Sequence, residues 1–169
     1  MRALGAAAER EVRVYFTGGV TAVLEGWRTS TIDIDLELVP DEGSVLKALP
    51  RLKEALAVNV ELASPAHFIP KLPGWEERCR FIERTGKASF YHYDLYAQAL
   101  AKLERGHEKD ADDVRAMLAA GLIEPCRLGE LFLTIEPELY RFPAIDPKTF
   151  RRAVEAVTGP LPELPAESS

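Results

Sequence analysis

Two aspartates separated by one residue are the strongest candidates for chemistry in this sequence. Asp33 and Asp35 lie within TIDIDLEL (31–38), where polar and apolar side chains alternate. A period of two predicts a β-strand and places both carboxylates on one face, with Cα atoms roughly 6.6–6.8 Å apart. Carboxylates so placed can hold two divalent cations about 3.5–4 Å apart, the arrangement used for phosphoryl transfer. The alternative is a sheet with one solvated face whose polar residues are acidic.

Two other motifs could complete such a site. Gly18 and Gly19 follow the alternating segment EVRVYF (11–16) and precede residues with helical spacing. Glycines between a strand and a helix let the backbone approach a phosphate, and the helix start favours an anion. Without a ligand, the same pair is a tight turn. Glu61, on the polar side of VNVEL (58–62), could bind a metal ion or accept a proton, or could simply be solvated.

The second half of the chain contributes charged residues on predicted helices. Lys102 lies in QALAKLERG, and the aspartates at 110, 112 and 113 lie in EKDADDV. A lysine can neutralise a triphosphate, and an aspartate can orient it. RGHEKD is expected to reverse the chain, so that helices 93–105 and 109–120 lie side by side. The alternative is that both helices present these charges to solvent.

Hydrophobic periodicity predicts the elements that position these residues. Alternation predicts strands at 11–16, 31–38 and 58–62. Helical spacing and end signals predict helices at 20–27, 44–56 with a break or restart at Pro50, 93–105, 109–120, 128–133 and 147–157. The proline-rich segment 63–74 is expected to be a loop, and ERCRFIER (77–84) fits either a helix or a strand.

Composition limits the classes of function. The chain has 169 residues, 47% of them hydrophobic, enough for one packed domain. Its net charge of −6 argues against tight non-specific binding to nucleic acid. Cys79 and Cys126 form no CxxC pair, which disfavours a disulfide framework or zinc knuckle. The N-terminal segment is too short and polar for a signal peptide, and no apolar run approaches the roughly 20 residues of a membrane span. A soluble cytoplasmic protein without a membrane partner is expected.

The order of these motifs resembles a known superfamily. GGVTAVLEGWRTSTIDID is similar to the minimal core of the DNA polymerase β-like nucleotidyltransferase superfamily, in which a GG or GS pair precedes a DxD strand. Downstream, YAQALAKLERGHEKDADDVRAML is similar to the K…R…KDxxDL region of AbiEii-type nucleotidyltransferases, a toxin class of bacterial abortive-infection and toxin–antitoxin systems, and of related domains. The resemblance covers about residues 13–120.

The resemblance implies roles for matching positions. It implies catalytic, metal-binding acids at Asp33, Asp35 and Glu61, and nucleotide-binding positions at Gly18, Gly19, Lys102, Asp110 and Asp113. The implied cofactor is magnesium, as two ions, which prefer oxygen ligands.

These observations predict an α/β (α+β) protein. Its nucleotidyltransferase-like core (1–120) would hold a mixed twisted sheet with helices on one side, followed by a helical extension (121–158) and a disordered tail (159–169). The predicted activity is Mg²⁺-dependent transfer of a nucleoside monophosphate from an NTP to an acceptor such as tRNA or protein, with an antitoxin as partner. The alternative is a catalytically inactive module that binds a nucleotide or a protein. An antitoxin-like regulator that binds nucleic acid is disfavoured by the acidic pI and by the lack of a helix-turn-helix.

Overall fold

A computed structural model describes residues 1–162, and these form two compact units. The first contains Met1–His67 and Trp75–Leu95, and the second contains Phe68–Gly74 and the described residues from Tyr96 onward. Part of the predicted disordered tail, 163–169, lies outside the described residues. No helix within residues 1–162 is long and apolar enough to cross a bilayer.

The first unit combines five strands with short helices. Its strands are β1 (Val12–Thr17), β2 (Asp33–Val39), β3 (Asn59–Leu62), β4 (Arg80–Thr85) and β5 (Ala88–His92). Its helices are α1 (Arg2–Ala7), α2 (Gly18–Leu24), α3 (Gly43–Leu56) and α4 (Trp75–Arg78), with a 3₁₀ turn at Pro65–His67. Helix α5 (Leu95–Arg105) begins at the end of this unit and continues into the second.

The second unit is helical. Besides α5, it contains α6 (Glu108–Ala119), α7 (Pro125–Ile135), a 3₁₀ segment (Glu136–Arg141) and α8 (Pro147–Thr158). Its core includes an edge-to-face contact between Phe132 and Phe150, with ring centroids 5.0 Å apart. Asp146 caps α8 as predicted, because its Oδ1 accepts a hydrogen bond from the Thr149 N–H at 2.8 Å.

The five strands form one mixed sheet in the order β3-β2-β1-β5-β4. The β1–β2 and β4–β5 pairs are antiparallel, and the β2–β3 and β1–β5 pairs are parallel. The predicted fold class, a mixed sheet combined with helices, is confirmed. Because parallel neighbours need crossover connections, α3 connects β2 to β3, and the chain from α2 to β4 connects β1 to β5, so that residues distant in sequence meet across the strands.

The two faces of the sheet differ in chemistry. One face carries the apolar half of each alternation, and this half packs with Leu4 of α1 and with Val45 and Leu49 of α3 in one buried cluster. The opposite face carries the polar half of β2 and β3 and, on β1 and β5, tyrosines. The alternation therefore separates a core face from the face that holds the candidate acids.

The predicted break or restart at Pro50 is wrong, because helix α3 continues through this residue. Proline lacks the N–H that would bond to Leu46, at a cost of about 3 kcal/mol. The helix is held at its start by Glu42, which accepts from the Val45 N–H at 2.8 Å, and its buried residues Val45 and Leu49 flank the turn that leads to Pro50. We attribute its continuity to this cap and this packing.

The segment from Trp75 to His92 holds elements that periodicity did not predict. ERCRFIER contains the end of α4 and most of β4, and ASFYH forms β5, which lies between β1 and β4. In β5, Ala88, Phe90 and His92 are buried and the two residues between them are half-buried. The half-buried face carries Tyr91 beside Ser89, and the buried face carries His92 beside Ala88 and Phe90, so the sequence lacks the clean polar and apolar alternation that reveals β2.

Candidate active site

Strand β2 places Asp33 and Asp35 on one face, as the alternation predicts. Asp33 is exposed and Asp35 is half-buried. The Asp33 Oδ1 accepts a hydrogen bond from the Asn59 Nδ2 at 2.9 Å, across the β2–β3 pair. Since this partner is a neutral amide, the hydrogen bond orients the Asp33 carboxylate without neutralising its charge.

The glycine turn lies against this strand. Gly18 has φ of 60°, and a Cβ placed on it would lie 2.9 Å from the Asp35 Oδ2. A Cβ on Gly19 would lie 2.4 Å from the Thr31 Oγ1. A side chain at Gly18 would displace the Asp35 carboxylate and one at Gly19 would displace Thr31, and Gly18 also has a left-handed backbone that favours glycine. The turn and the DxD strand thus meet at Asp35, which unites two of the sequence motifs in one place.

Glu61 lies next to the pair, on the strand that sequence analysis expected. Its Cα is in register with that of Asp35 in the parallel β2–β3 ladder, and Thr17 is in register with Asp35 on the other side. Thr17, Asp35 and Glu61 therefore form one row across three strands on the polar face. The Glu61 residue is exposed, so its carboxylate can change rotamer.

The donors in this row suit magnesium, which binds carboxylate oxygens and retains several waters or phosphate oxygens. Asp33 and Asp35 supply two carboxylates on one face, and Glu61 supplies a third at a neighbouring position. Within residues 1–162, however, no group of three or more His, Cys, Asp or Glu is already arranged to hold a metal ion. The acids therefore fit magnesium in type and in position along the sheet, while a closed protein cage is absent from the described residues.

Next to Asp35, the same face of the sheet is covered by buried aromatic side chains. Tyr15, Trp75 and Tyr93 pack together, with the Trp75 and Tyr93 rings stacked at a centroid distance of 4.5 Å. Burial raises the pKa of Tyr15 to about 12. Burial, followed by the charge of Glu37, also raises the pKa of Tyr93. Both hydroxyls are neutral at physiological pH, so this half of the face adds no charge to the acids.

The predicted helical residues form a separate cluster in the second unit. The Lys102 Nζ donates to the Asp113 Oδ2 at 2.6 Å and to the Asp110 Oδ1 at 3.2 Å, and Arg105 also donates to Asp110. Lys102, Asp110 and Asp113 are only 6%, 5% and 1% exposed. Burial alone would raise the pKa of Asp110, but hydrogen bonding and charge from Arg105 and Lys102 outweigh it, so the pKa lies below its ordinary value. This cluster joins α5 to α6.

The burial and pairing of these residues affect the nucleotide-binding roles expected of them. The Lys102 ammonium already contacts two carboxylates, so a contact with phosphate would have to compete with them. The alternative considered for these helices, charges presented to solvent, does not describe Lys102, Asp110 or Asp113. It does describe Asp112, which is exposed and pairs with Arg115. A nucleotide-binding role for Lys102, Asp110 and Asp113 stays a prediction.

One buried polar group of the first unit was missed by sequence analysis. The His92 Nδ1 lies 3.2 Å from the Thr21 Oγ1, and its Nε2 lies 3.2 Å from a carboxylate oxygen of Glu25. Arg80 donates to the same Glu25 oxygen at 3.0 Å. Burial lowers the pKa of His92, which Glu25 partly restores and Arg80 lowers further. Thr21 on α2 and Glu25 at its C-terminal cap are four apart, but nothing local in the sequence links them to β4 or β5.

Comparison with known proteins agrees with this geometry at the level of family. No curated protein and no solved structure matches the chain. One family matches residues 2–143, and it is described as nucleotidyltransferase of unknown function (DUF6036). That span includes the glycine turn, the acids on β2 and β3, and the Lys102 cluster. A nearest relationship to AbiEii-type proteins remains a prediction. The chain belongs to this nucleotidyltransferase family.

Proposed function

We propose that this protein is a Mg²⁺-dependent nucleotidyltransferase of the cytoplasm, which transfers a nucleoside monophosphate from an NTP to an acceptor hydroxyl or phosphate. The observation that carries the proposal is the contact between the glycine turn and Asp35. A turn whose backbone can approach a phosphate and a strand that presents two carboxylates meet at one point, and the family is one of nucleotidyltransferases. Such a combination suits a ligand that carries phosphate and metal together.

In this proposal, Asp33 and Asp35 hold magnesium, as two ions, and the triphosphate supplies ligands that the protein lacks. Magnesium, when bound, would neutralise phosphate charge and stabilise the charge that develops on the attacking and leaving oxygens. Gly18 and Gly19 would let the backbone approach the phosphates, since neither residue places a side chain over the turn. The prediction that Lys102 balances triphosphate charge would require it to exchange a carboxylate partner for phosphate.

The reaction balances as a single displacement at phosphorus. The acceptor oxygen forms a bond to the α-phosphorus, while the bond from that phosphorus to the oxygen bridging to the β-phosphate breaks. Pyrophosphate leaves with the bonding electron pair. When the acceptor is a hydroxyl, its proton passes to a base, and Glu61 is the proposed base because it is exposed and in register with Asp35.

The acceptor and partner follow from the proposed resemblance to AbiEii-type proteins. In that interpretation the acceptor is an RNA, such as tRNA, or a protein, and an antitoxin forms a complex with the enzyme. The net charge of −6 favours an acceptor recognised at a local surface over one held by general attraction to phosphate.

A second candidate is a catalytically inactive module of the same fold that binds a nucleotide or a protein. Residues 1–162 hold no ready three-acid metal group, which is compatible with this candidate. An enzyme whose nucleotide completes the metal site and a module that has lost turnover would both have this feature. The enzyme would transfer a labelled nucleotide to an acceptor, whereas the inactive module would not.

The test is transfer of label from each α-³²P-NTP to RNA and protein of a cell extract, with and without Mg²⁺. Wild-type protein is compared with Asp33→Asn and with Asp41→Asn, which removes an exposed acid beyond the end of β2. The proposal predicts Mg²⁺-dependent labelling by wild type and Asp41→Asn, and none by Asp33→Asn. Equal labelling by Asp33→Asn would exclude this acid as a metal ligand. Nucleotide binding without labelling in any extract would favour the inactive module.

A further inference from the structure

A buried polar group links the strand before the glycine turn to the helix after it. The Thr21 Oγ1 lies 3.4 Å from the Phe16 carbonyl oxygen and 3.2 Å from the His92 Nδ1. Phe16 is two residues before Gly18, and Thr21 is three residues after it. The Phe16 carbonyl also accepts from the Tyr93 N–H at 2.9 Å. Thr21 and His92, whose side chains are almost completely buried, therefore connect the residues on either side of the glycine turn by hydrogen bonds.

Hydrogen-bond chemistry assigns the proton positions. The Glu25 carboxylate facing Nε2 can only accept, so Nε2 carries the proton of neutral His92. Nδ1 is then an acceptor, and the Thr21 hydroxyl has one proton to share between Nδ1 and the Phe16 carbonyl. When His92 becomes doubly protonated, Nδ1 must donate to the Thr21 oxygen, and the hydroxyl proton turns to the Phe16 carbonyl. The charge on the ring therefore decides whether the Thr21 hydroxyl proton is shared with Nδ1 or is directed to the Phe16 carbonyl.

We propose that His92 is a positioning residue for the glycine turn, which it orients through the Thr21 hydroxyl. Neutral His92 leaves the Thr21 proton shared between Nδ1 on β5 and the Phe16 carbonyl on β1, whereas protonated His92 keeps its hydrogen bond to Thr21 and directs that proton to the Phe16 carbonyl. The charged groups that face the imidazole are Glu25, at the C-terminal cap of α2, and Arg80 on β4. The consequence for nucleotide affinity rests on the proposed function, while the coupling between His92 and the turn does not.

The location of the turn explains why a small change there matters. A Cβ position on Gly18 is 2.9 Å from the Asp35 carboxylate, so a movement of the turn on that side changes its distance from this acid. A shift of Thr21 moves the first turn of α2, and Gly18 and Gly19 move with it. In a close-packed interior such shifts pass to neighbours instead of being absorbed. His92 would thus influence the acids without touching them.

The first test is a pH titration by NMR of the Gly18 and Gly19 amides and of the imidazole signals. In wild type we expect both glycine amides to shift with the midpoint of His92, below its ordinary value of 6.5. Thr21→Val should uncouple them, because the ring still titrates while the hydroxyl is gone. His107→Gln, which removes an exposed histidine, should leave the coupling intact. Glycine amides that ignore the His92 midpoint in wild type, or that follow it in Thr21→Val, would overturn the proposal.

The second test measures Mg²⁺–NTP affinity above the midpoint. We expect Thr21→Val to weaken binding about 2- to 30-fold, the range typical of coupling through packed networks. Unchanged affinity would overturn the proposed link to the nucleotide. If wild type binds no NTP, the proposed function fails, but the NMR titration still decides whether His92 positions the turn. His92→Gln provides a second variant, and it should abolish the pH response of both glycine amides.

Discussion

The acids of β2 and the acids of α6 occupy opposite electrostatic environments. Asp33 is exposed and bonded to a neutral amide, and Asp35 lies against a turn without side chains. Asp110 and Asp113 are buried, and each accepts a hydrogen bond from the Lys102 ammonium. Buried charges persist when they are paired, whereas like charges on an accessible face repel until a cation binds. Asp33, whose partner is neutral, is therefore suited to an external cation, whereas Asp110 and Asp113 are already paired with a cation of the fold, Lys102.

The largest expected effect is on transfer activity and comes from Asp35→Ala. Loss of a metal-binding charge worth several kcal/mol should lower the rate by at least about 10³-fold, at about 1.36 kcal/mol per tenfold. The free energy of unfolding should change by less than this, because Asp35 lies half-buried on the polar face and outside the apolar core cluster. Label transfer and urea unfolding, measured on the same preparation, check both halves. A large loss of stability would mean that Asp35 is structural.

For Lys102→Met we expect the opposite pattern, in which the main effect is on stability. Removal of the ammonium leaves two buried carboxylates without their shared donor, which should lower the free energy of unfolding by about 3–5 kcal/mol. Lys109→Met, at an exposed position on α6, is the matched control and should change little. Urea-induced unfolding followed by circular dichroism measures the difference. If Lys102→Met unfolds like wild type while its Mg²⁺–NTP affinity falls, the lysine acts on phosphate and the contrast between the two regions disappears.

A smaller effect is expected at the glycine turn. Gly18→Ala should destabilise the protein by about 1–2 kcal/mol for its left-handed backbone, with a further cost from the contact with Asp35. Gly106→Ala is the matched control, because Gly106 has φ of 68° and nothing within 4 Å of its Cβ position. The excess at Gly18 should vanish when Asp35 is alanine, which a double-mutant cycle measures. An unchanged excess would show that the turn and Asp35 are not in contact in solution.

The smallest effect is the pH dependence from His92. Since burial lowers its folded-state pKa, the unfolded state binds more protons between that pKa and about 6.5. Stability should fall as pH drops through this window and then level off, with a slope of at most about 1.36 kcal/mol per pH unit for one proton. Comparing wild type with His92→Gln by urea unfolding at several pH values isolates the contribution. An identical pH dependence in both proteins would contradict the buried neutral form.

Features of the structure that depend on local periodicity could be predicted from the sequence. Asp33 and Asp35 share a face because side chains alternate along a strand, and Asp146 caps a helix because its side chain reaches its own next turn. β5 was missed, because each of its faces mixes aromatic and polar residues, so that polar and apolar side chains do not alternate cleanly along it. The partners of Lys102 and His92 could not be predicted either, since tertiary packing decides whether a charged helix face meets solvent or another helix.

The central claim is that the acids of β2 form a magnesium-dependent nucleotide site. Isothermal titration of each NTP, with and without Mg²⁺, tests it most directly on wild type, Asp33→Asn and Asp41→Asn. The account predicts that wild type and Asp41→Asn bind at least one NTP only when Mg²⁺ is present, and that Asp33→Asn loses this binding. Mg²⁺-dependent binding of equal affinity in all three proteins would contradict it, because the nucleotide and its metal would then lie elsewhere.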